Sequence, residues 1–207
     1  MEFKNYIFDV DGTLLNSYLV AYKAKEKVLK EYNIPYTKEL IDLGFSSTSI
    51  KSSELFGIDV NSDIGKEIVK KEKIYFNEFS KDMELFPNAI ETIKYLKSKQ
   101  KNLGIVTSRI KSEVINEPKL KEILPYFDCI ITASDVLKPK PDKESLEKLF
   151  DITKWNKNES IFIGDSNNDS KCAYSYGIKF GLAGWGAVNE VRYDYYFENF
   201  EQIKNWQ

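Results

Sequence analysis

Two aspartates, Asp9 and Asp11, follow the apolar run Tyr6-Ile7-Phe8 and stand on either side of Val10, directly before Gly12. An isolated buried charge is costly, so carboxylates at the end of a buried segment need a partner. Side chains at i and i+2 of a strand leave on the same face. The spacing therefore predicts that Asp9 and Asp11 converge on one spot while Val10 turns into the core, and Gly12 allows a sharp turn beyond them. Asp-Gly is also ordinary turn chemistry, so these residues alone fit either a turn or a reactive site.

Other apolar runs end in the same way. Ile105-Val106 leads into Thr107-Ser108-Arg109, and Ile161-Phe162-Ile163 into Gly164-Asp165-Ser166-Asn167-Asn168-Asp169. Between them lies Leu137-Lys138-Pro139-Lys140-Pro141-Asp142. Strand ends and a loop thus offer carboxylates, a hydroxyl and a lysine. Hard oxygen ligands suit Mg²⁺, which keeps several waters and bridges carboxylates to phosphate. A lysine and a hydroxyl beside it bind phosphate oxygens. Each piece also has a plainer role: Thr107 as a helix N-cap, and the Lys-Pro-Lys-Pro segment as a stiff extended connector. A calcium loop beginning at Asp165 fails, because its sixth and twelfth positions require Gly and Glu and hold Ser170 and Tyr176. Asp165 and Asp169 share a face if a helix begins near Ser166.

The elements that must position these groups follow from periodicity. KNYIFDV, NLGIVTS, FDCIITA, SIFIGD and GIKFGLA are short and rich in Ile, Val and Phe, the pattern of strands buried on both faces. DYYFEN predicts a last edge strand. NAIETIKYLKSKQ and DKESLEKLF carry helical spacing between the strands. This alternation predicts an α/β fold with a Rossmann-like, mostly parallel sheet and helices on both faces. From about residue 16 to 82 no strand pattern is found. SYLVAYKAKEKVLKEYN predicts a helix with Ala21, Ala24, Val28 and Tyr32 on one stripe. Ile64, Ile68, Tyr75 and Phe79 predict another, with two or more short helices between Thr37 and Phe56. The expected organisation is a core of residues 1–15 and 83–207 interrupted by an α-helical insertion, 16–82.

Composition narrows the chemistry. The 207 residues contain 30 Lys+Arg and 32 Asp+Glu, a balance with no basic excess to suggest a nucleic-acid partner. Histidine is absent, which removes Ser-His-Asp and Cys-His catalysis and histidine-based zinc sites. Acid–base work falls to Asp, Glu, Lys or Tyr. Cys129 and Cys172 sit in apolar settings and are expected as buried free thiols. No apolar run approaches the ~18 residues of a membrane span, and the first residues lack a signal-peptide layout. A cytoplasmic protein with no membrane partner is expected.

Four stretches in order, Asp9-Val10-Asp11-Gly12-Thr13, Thr107, Lys138-Pro139-Lys140-Pro141 and Gly164-Asp165-Ser166 with Asp169, resemble the motifs of the haloacid dehalogenase-like hydrolases. The chain is most similar to the branch of phosphoglycolate phosphatases, pyrophosphatases and β-phosphoglucomutases, in which a helical cap is inserted between the first two motifs. The resemblance spans nearly the whole chain. It implies a Mg²⁺-dependent phosphatase that hydrolyses a small phosphorylated metabolite through an aspartyl-phosphate. Asp9 would be the nucleophile and Asp11 the general acid and base. Thr107 and Lys138 would bind the transferring phosphoryl group, with Lys140 as the alternative lysine. Mg²⁺ would be held by Asp9, the backbone carbonyl of Asp11, Asp165 and Asp169.

The second aspartate argues for phosphoryl transfer rather than dehalogenation, since a leaving alkoxide needs a proton. Thr13 is more phosphatase-like than mutase-like. A phosphomutase of the β-phosphoglucomutase type is the alternative, and a receiver-like signalling module a remote one. Thr13, Ser108, Arg109 and Lys51 are the candidate substrate contacts, Arg109 at the rim of the site. Pro87-Asn88 stands where related chains carry Pro-Gly, with Asn88 expected to cap the next helix. Gly44 to Lys51, the expected substrate loop of the cap, contains no arginine.

Overall fold

A computed structural model describes residues 3–45 and 49–205. The chain divides into two compact units: Met1–Asn16 with Glu84–Gln207, and Ser17–Met83.

The first unit is built on six parallel strands: β1 (Asn5–Phe8), β2 (Asn102–Val106), β3 (Cys129–Ile131), β4 (Ser160–Gly164), β5 (Lys179–Ala183) and β6 (Tyr195–Phe197), in the order β3-β2-β1-β4-β5-β6. Every strand expected from the sequence is present, and the DYYFEN strand lies at the edge. Both faces of the sheet are apolar, which is why the strands read as continuous hydrophobic runs. Phe8, Ile105 and Ile163 belong to one buried cluster with Ile93 and Leu96 of a helix at Ala89–Ser98 and with Phe200 and Ile203 of the C-terminal helix at Phe200–Lys204. Their neighbours Ile7, Val106 and Phe162 belong to the other, with Leu146 and Leu149 of a helix at Glu144–Thr153 and Cys172 and Ala173 of a helix at Asn167–Tyr176. Cys129 and Cys172 are buried free thiols.

The strand order reverses at β1. The chain runs outward through β2 and β3 on one side, then crosses to β4, β5 and β6 on the other. In open α/β sheets, ligands bind beyond the carboxyl ends of the strands at such a switch point. Asp9 follows β1 and Asp165 follows the adjacent β4.

The second unit contains helices at Tyr18–Glu31, Lys38–Phe45, Ser49–Glu54 and Asp63–Phe79. Its own core is Val28, Leu29, Ile41, Ile58 and Ile68. Lys25 is buried there and paired with Glu72 at 2.7 Å, so the charge is compensated. The expected stripes hold in part. Ala24, Val28 and Ile68 are buried, but Ile64 is 63% exposed. Residues 46–48 of the expected Gly44–Lys51 substrate loop lie outside the described residues.

Asn88 departs from expectation. Its side chain caps nothing; its backbone is left-handed, with φ of 64°. Asn adopts that conformation more readily than most residues other than Gly, which accounts for Asn in the place of glycine.

Candidate active site

β1 ends at Phe8, but its ladder continues one residue further through the Asp9 N–H, which donates to the Ile163 carbonyl at 2.9 Å. Asp9 therefore leaves the sheet with a fixed backbone. The chain then folds back, with Gly12 N–H donating to Leu15 C=O at 2.9 Å. Because the strand stops, the period-two rule stops with it. Asp9 turns to Lys140 and Asp11 to Arg109. The Asp11 charge also acts on Asp9, raising its pKa.

The carboxylates that meet are Asp9, Asp165 and Asp169. Each is buried and offers an oxygen, and these oxygens lie within 4.8 Å of one another. Lys140 is buried among them, 2.8 Å from Asp9 Oδ1 and 2.6 Å from Asp169 Oδ1. Asp169 is the third residue of the helix at Asn167–Tyr176 and forms a capping box with Ser166. The Ser166 hydroxyl donates to its Oδ2 at 2.5 Å, as does the Ser166 N–H at 3.1 Å. Both Asp169 oxygens are therefore occupied, one by Lys140 and one by Ser166. Asp165 accepts from the Thr13 hydroxyl at 3.0 Å.

One ammonium among three carboxylates leaves excess negative charge. Burial, reinforced by the Asp169 charge and only partly opposed by Lys140, pushes Asp9 up to about 7. Burial and the charges of Asp169 and Asp9 raise Asp165 well above the carboxylate range. Burial works against the Lys140 charge, but Asp169 and Asp9 outweigh it and hold the ammonium above its ordinary range. A buried all-oxygen donor set with excess negative charge fits a divalent cation of the Mg²⁺ type.

Two glycines make the crowding possible. A Cβ on Gly12, whose φ is 71°, would stand 2.3 Å from Asp165 Oδ2, and one on Gly164 would stand 2.6 Å from the Asp169 carboxylate carbon. Gly12→Ala is accordingly expected to displace Asp165 and strain the turn. If the cluster holds a divalent cation, its affinity for Mg²⁺ in that variant, followed by calorimetry, should fall at least about tenfold, the scale on which disturbing the support of metal ligands lowers affinity.

Several expected residues lie elsewhere. Lys138 is exposed, and only its backbone N–H is fixed, by Glu144 at 2.8 Å; the lysine at the carboxylates is Lys140. Thr13 is fully buried with its hydroxyl committed to Asp165, so it supports the cluster rather than contacting substrate. Its carbonyl accepts from Trp185 Nε1 at 3.0 Å, which ties the turn to the aromatic packing of Trp185 on Phe200. Thr107 is buried just beyond β2, beside β1. Its hydroxyl accepts from the Arg109 N–H at 3.2 Å, a local turn and not a helix cap, since the next helix starts at Lys111. Ser108 is exposed. Arg109 is nearly buried and engaged by Asp11, not displayed at a rim. Lys51 is exposed in the helical unit. Glu117, near Arg109, was not foreseen, and nothing in its local sequence marks it.

The sequence pattern of the haloacid dehalogenase-like hydrolase family matches residues 6–183. Pyrophosphatase PpaX of Bacillus cereus is 25% identical over 205 residues, covering 97% of this chain and 92% of the relative. A candidate phosphoglycolate phosphatase from Lactobacillus plantarum superposes with a TM-score of 0.88 at 25% identity, covering 99% of both chains. YfnB from Bacillus subtilis, solved bound to magnesium, has a TM-score of 0.74 at 19% identity over 99% of this chain and 98% of that one. The chain belongs to the haloacid dehalogenase-like hydrolases. By class it is a phosphatase, which sets aside the receiver-like reading. Among the described residues no helix is long and apolar enough to cross a membrane.

Proposed function

We propose that the protein is a Mg²⁺-dependent phosphatase that hydrolyses a small phosphorylated metabolite through an aspartyl-phosphate on Asp9. The observation that carries this reading is the meeting of Asp9, Asp165 and Asp169 around Lys140 at the switch point of the sheet. Asp9, Asp165 and the backbone carbonyl of Asp11 would hold the metal, with Asp169 acting mainly by fixing Lys140. When bound, Mg²⁺ would supply charge to offset the repulsion between a carboxylate and an anionic phosphate.

In the first step an Asp9 oxygen attacks phosphorus, the bond to the leaving oxygen breaks, and Asp11 gives that oxygen its proton. Lys140 and Thr107 bind the phosphoryl oxygens. In the second step water attacks the phosphorus and Asp11 takes a proton from it; the bond from the Asp9 oxygen to phosphorus breaks, which restores the Asp9 carboxylate and releases inorganic phosphate. The Ser17–Met83 unit is proposed to act as the cap that selects the substrate. Pyrophosphate and phosphoglycolate head the panel of compounds to screen, following the names of the relatives.

Turnover should vanish with EDTA and return with Mg²⁺; full activity in metal-free buffer would reject the reading. The charge state of Asp9 adds a pH signature. Its folded value of about 7 lies above the unfolded 3.8. Without metal, the folded chain therefore holds a proton that the unfolded chain has released. The resulting stabilisation is complete below about pH 4 and is lost as pH rises through about 7. Metal binding competes with that proton. The rise in Tm on adding Mg²⁺ should be larger at about pH 7.5 than at about pH 5.5. An equal rise at both would contradict this assignment of Asp9.

A further inference from the structure

Asp11, the proposed acid and base, is gripped by the protein's own cation. Arg109 Nε donates to Asp11 Oδ2 at 2.8 Å and Nη2 donates to Oδ1 at 2.7 Å. Such a bidentate fork fixes the plane of the carboxylate as well as its charge. The fork is itself held from behind. Glu117 Oε2 lies 3.8 Å from Nη1, and both the Arg109 and Glu117 side chains are only 9% exposed. The Arg109 backbone is tied at both ends, its N–H to the Thr107 hydroxyl at 3.2 Å and its C=O to the Ala133 N–H at 2.9 Å. Asp11 is the more open partner, 35% exposed. Only one other arginine exists, Arg192, and it stacks on Tyr174 at 4.3 Å.

We propose that Arg109, backed by Glu117, is a positioning residue: its fork sets the plane of the Asp11 carboxylate so that one oxygen meets the leaving group. This rests on the phosphatase reading above. Each carboxylate oxygen has two lone-pair directions. The fork takes one on each oxygen, so the proton that Asp11 transfers travels along another direction in the same plane. That proton goes from Asp11 to the leaving oxygen as its bond to phosphorus breaks, and a proton from the attacking water later replaces it. Arg109 touches neither phosphorus nor leaving group in this scheme; it acts through Asp11.

A leaving group that needs a proton should feel the loss of Arg109 most. With saturating Mg²⁺, Arg109→Gln should lower kcat for β-glycerophosphate by about 10²-fold, the cost of misplacing a reacting group. KM should change little, and kcat for p-nitrophenyl phosphate, whose leaving group needs little protonation, should fall much less. Arg109→Lys keeps the charge but not the fork and should recover only part of the loss; it also serves if Arg109→Gln folds poorly. In an Asp11→Asn background, Arg109→Gln should cost nothing further. Three results would overturn the proposal: a raised KM with kcat retained, which marks a substrate contact; an equal loss for both esters; or a full loss persisting beside Asp11→Asn. A wild-type protein that, with Mg²⁺, cleaves neither of these esters nor pyrophosphate nor phosphoglycolate would overturn the phosphatase reading, and this proposal with it.

Discussion

Asp9→Asn is expected to reduce turnover of p-nitrophenyl phosphate by at least about 10⁴-fold, the scale seen when a nucleophile is removed from an otherwise intact site. The argument is chemical and steric together. An amide of nearly the same shape occupies the same pocket, so the packing around Ile163 and Phe8 is kept, but it does not form an acyl phosphate. Its charge is also gone from a cluster where Asp169 and Asp165 already repel one another. The variant should therefore melt no lower than the wild type without metal. Retained turnover, or a collapse of the fold, would each count against the role given to Asp9: the first against the nucleophile, the second against the view that its charge is a burden on the fold.

Lys140→Ala should have the largest effect on stability. The Lys140 side chain is 2% exposed, and its ammonium lies within 3 Å of two buried carboxylates. Removing one partner of a buried ion pair leaves the other uncompensated, at a cost of about 3–5 kcal/mol. Here two carboxylates are abandoned, with Asp165 close by. Urea unfolding in EDTA should show that loss, and Mg²⁺ should restore part of it by supplying positive charge to the same oxygens. Turnover should be lost even where the fold is restored, since the phosphoryl oxygens no longer meet a lysine. Lys138→Ala provides the contrast: its side chain is exposed, and it should melt within ~0.5 kcal/mol of the wild type. Loss of activity in Lys138→Ala with retention in Lys140→Ala would reverse the assignment.

The fold was legible because a parallel sheet covered on both faces shows itself as apolar runs, and each of the six was short, separate and bounded by polar residues. The carboxylate cluster was legible for a related reason. Asp9 and Asp165 follow two of those runs, and Asp169 stands one helical turn beyond Ser166. What stayed hidden depends on contacts between distant parts of the chain. In Lys138-Pro139-Lys140-Pro141, local sequence gives no reason for one lysine to turn inward. The choice is made by Asp9 and Asp169, 131 and 29 residues away in the chain, the latter separation being that of a 2.6 Å bond. The pairing of Asp11 with Arg109 spans 98 residues, so an arginine beside a strand end looked like a rim contact. Thr13 looked like a substrate contact because it stands beside the reactive aspartates, but the turn at Gly12 points it inward at Asp165. Asn88 was misjudged for another reason: its value lies in backbone conformation, which residue type alone suggests for capping and for left-handed turns alike.

The most direct test of the central claim is to quench a reaction of the wild-type protein with Mg²⁺ and p-nitrophenyl phosphate in acid, digest it, and locate any phosphoryl group by mass spectrometry. Phosphate on the peptide carrying Asp9, absent from the Asp9→Asn protein, is the expected result. A phosphoryl group on another residue, or turnover with no phosphorylated peptide at any quench time, would contradict it.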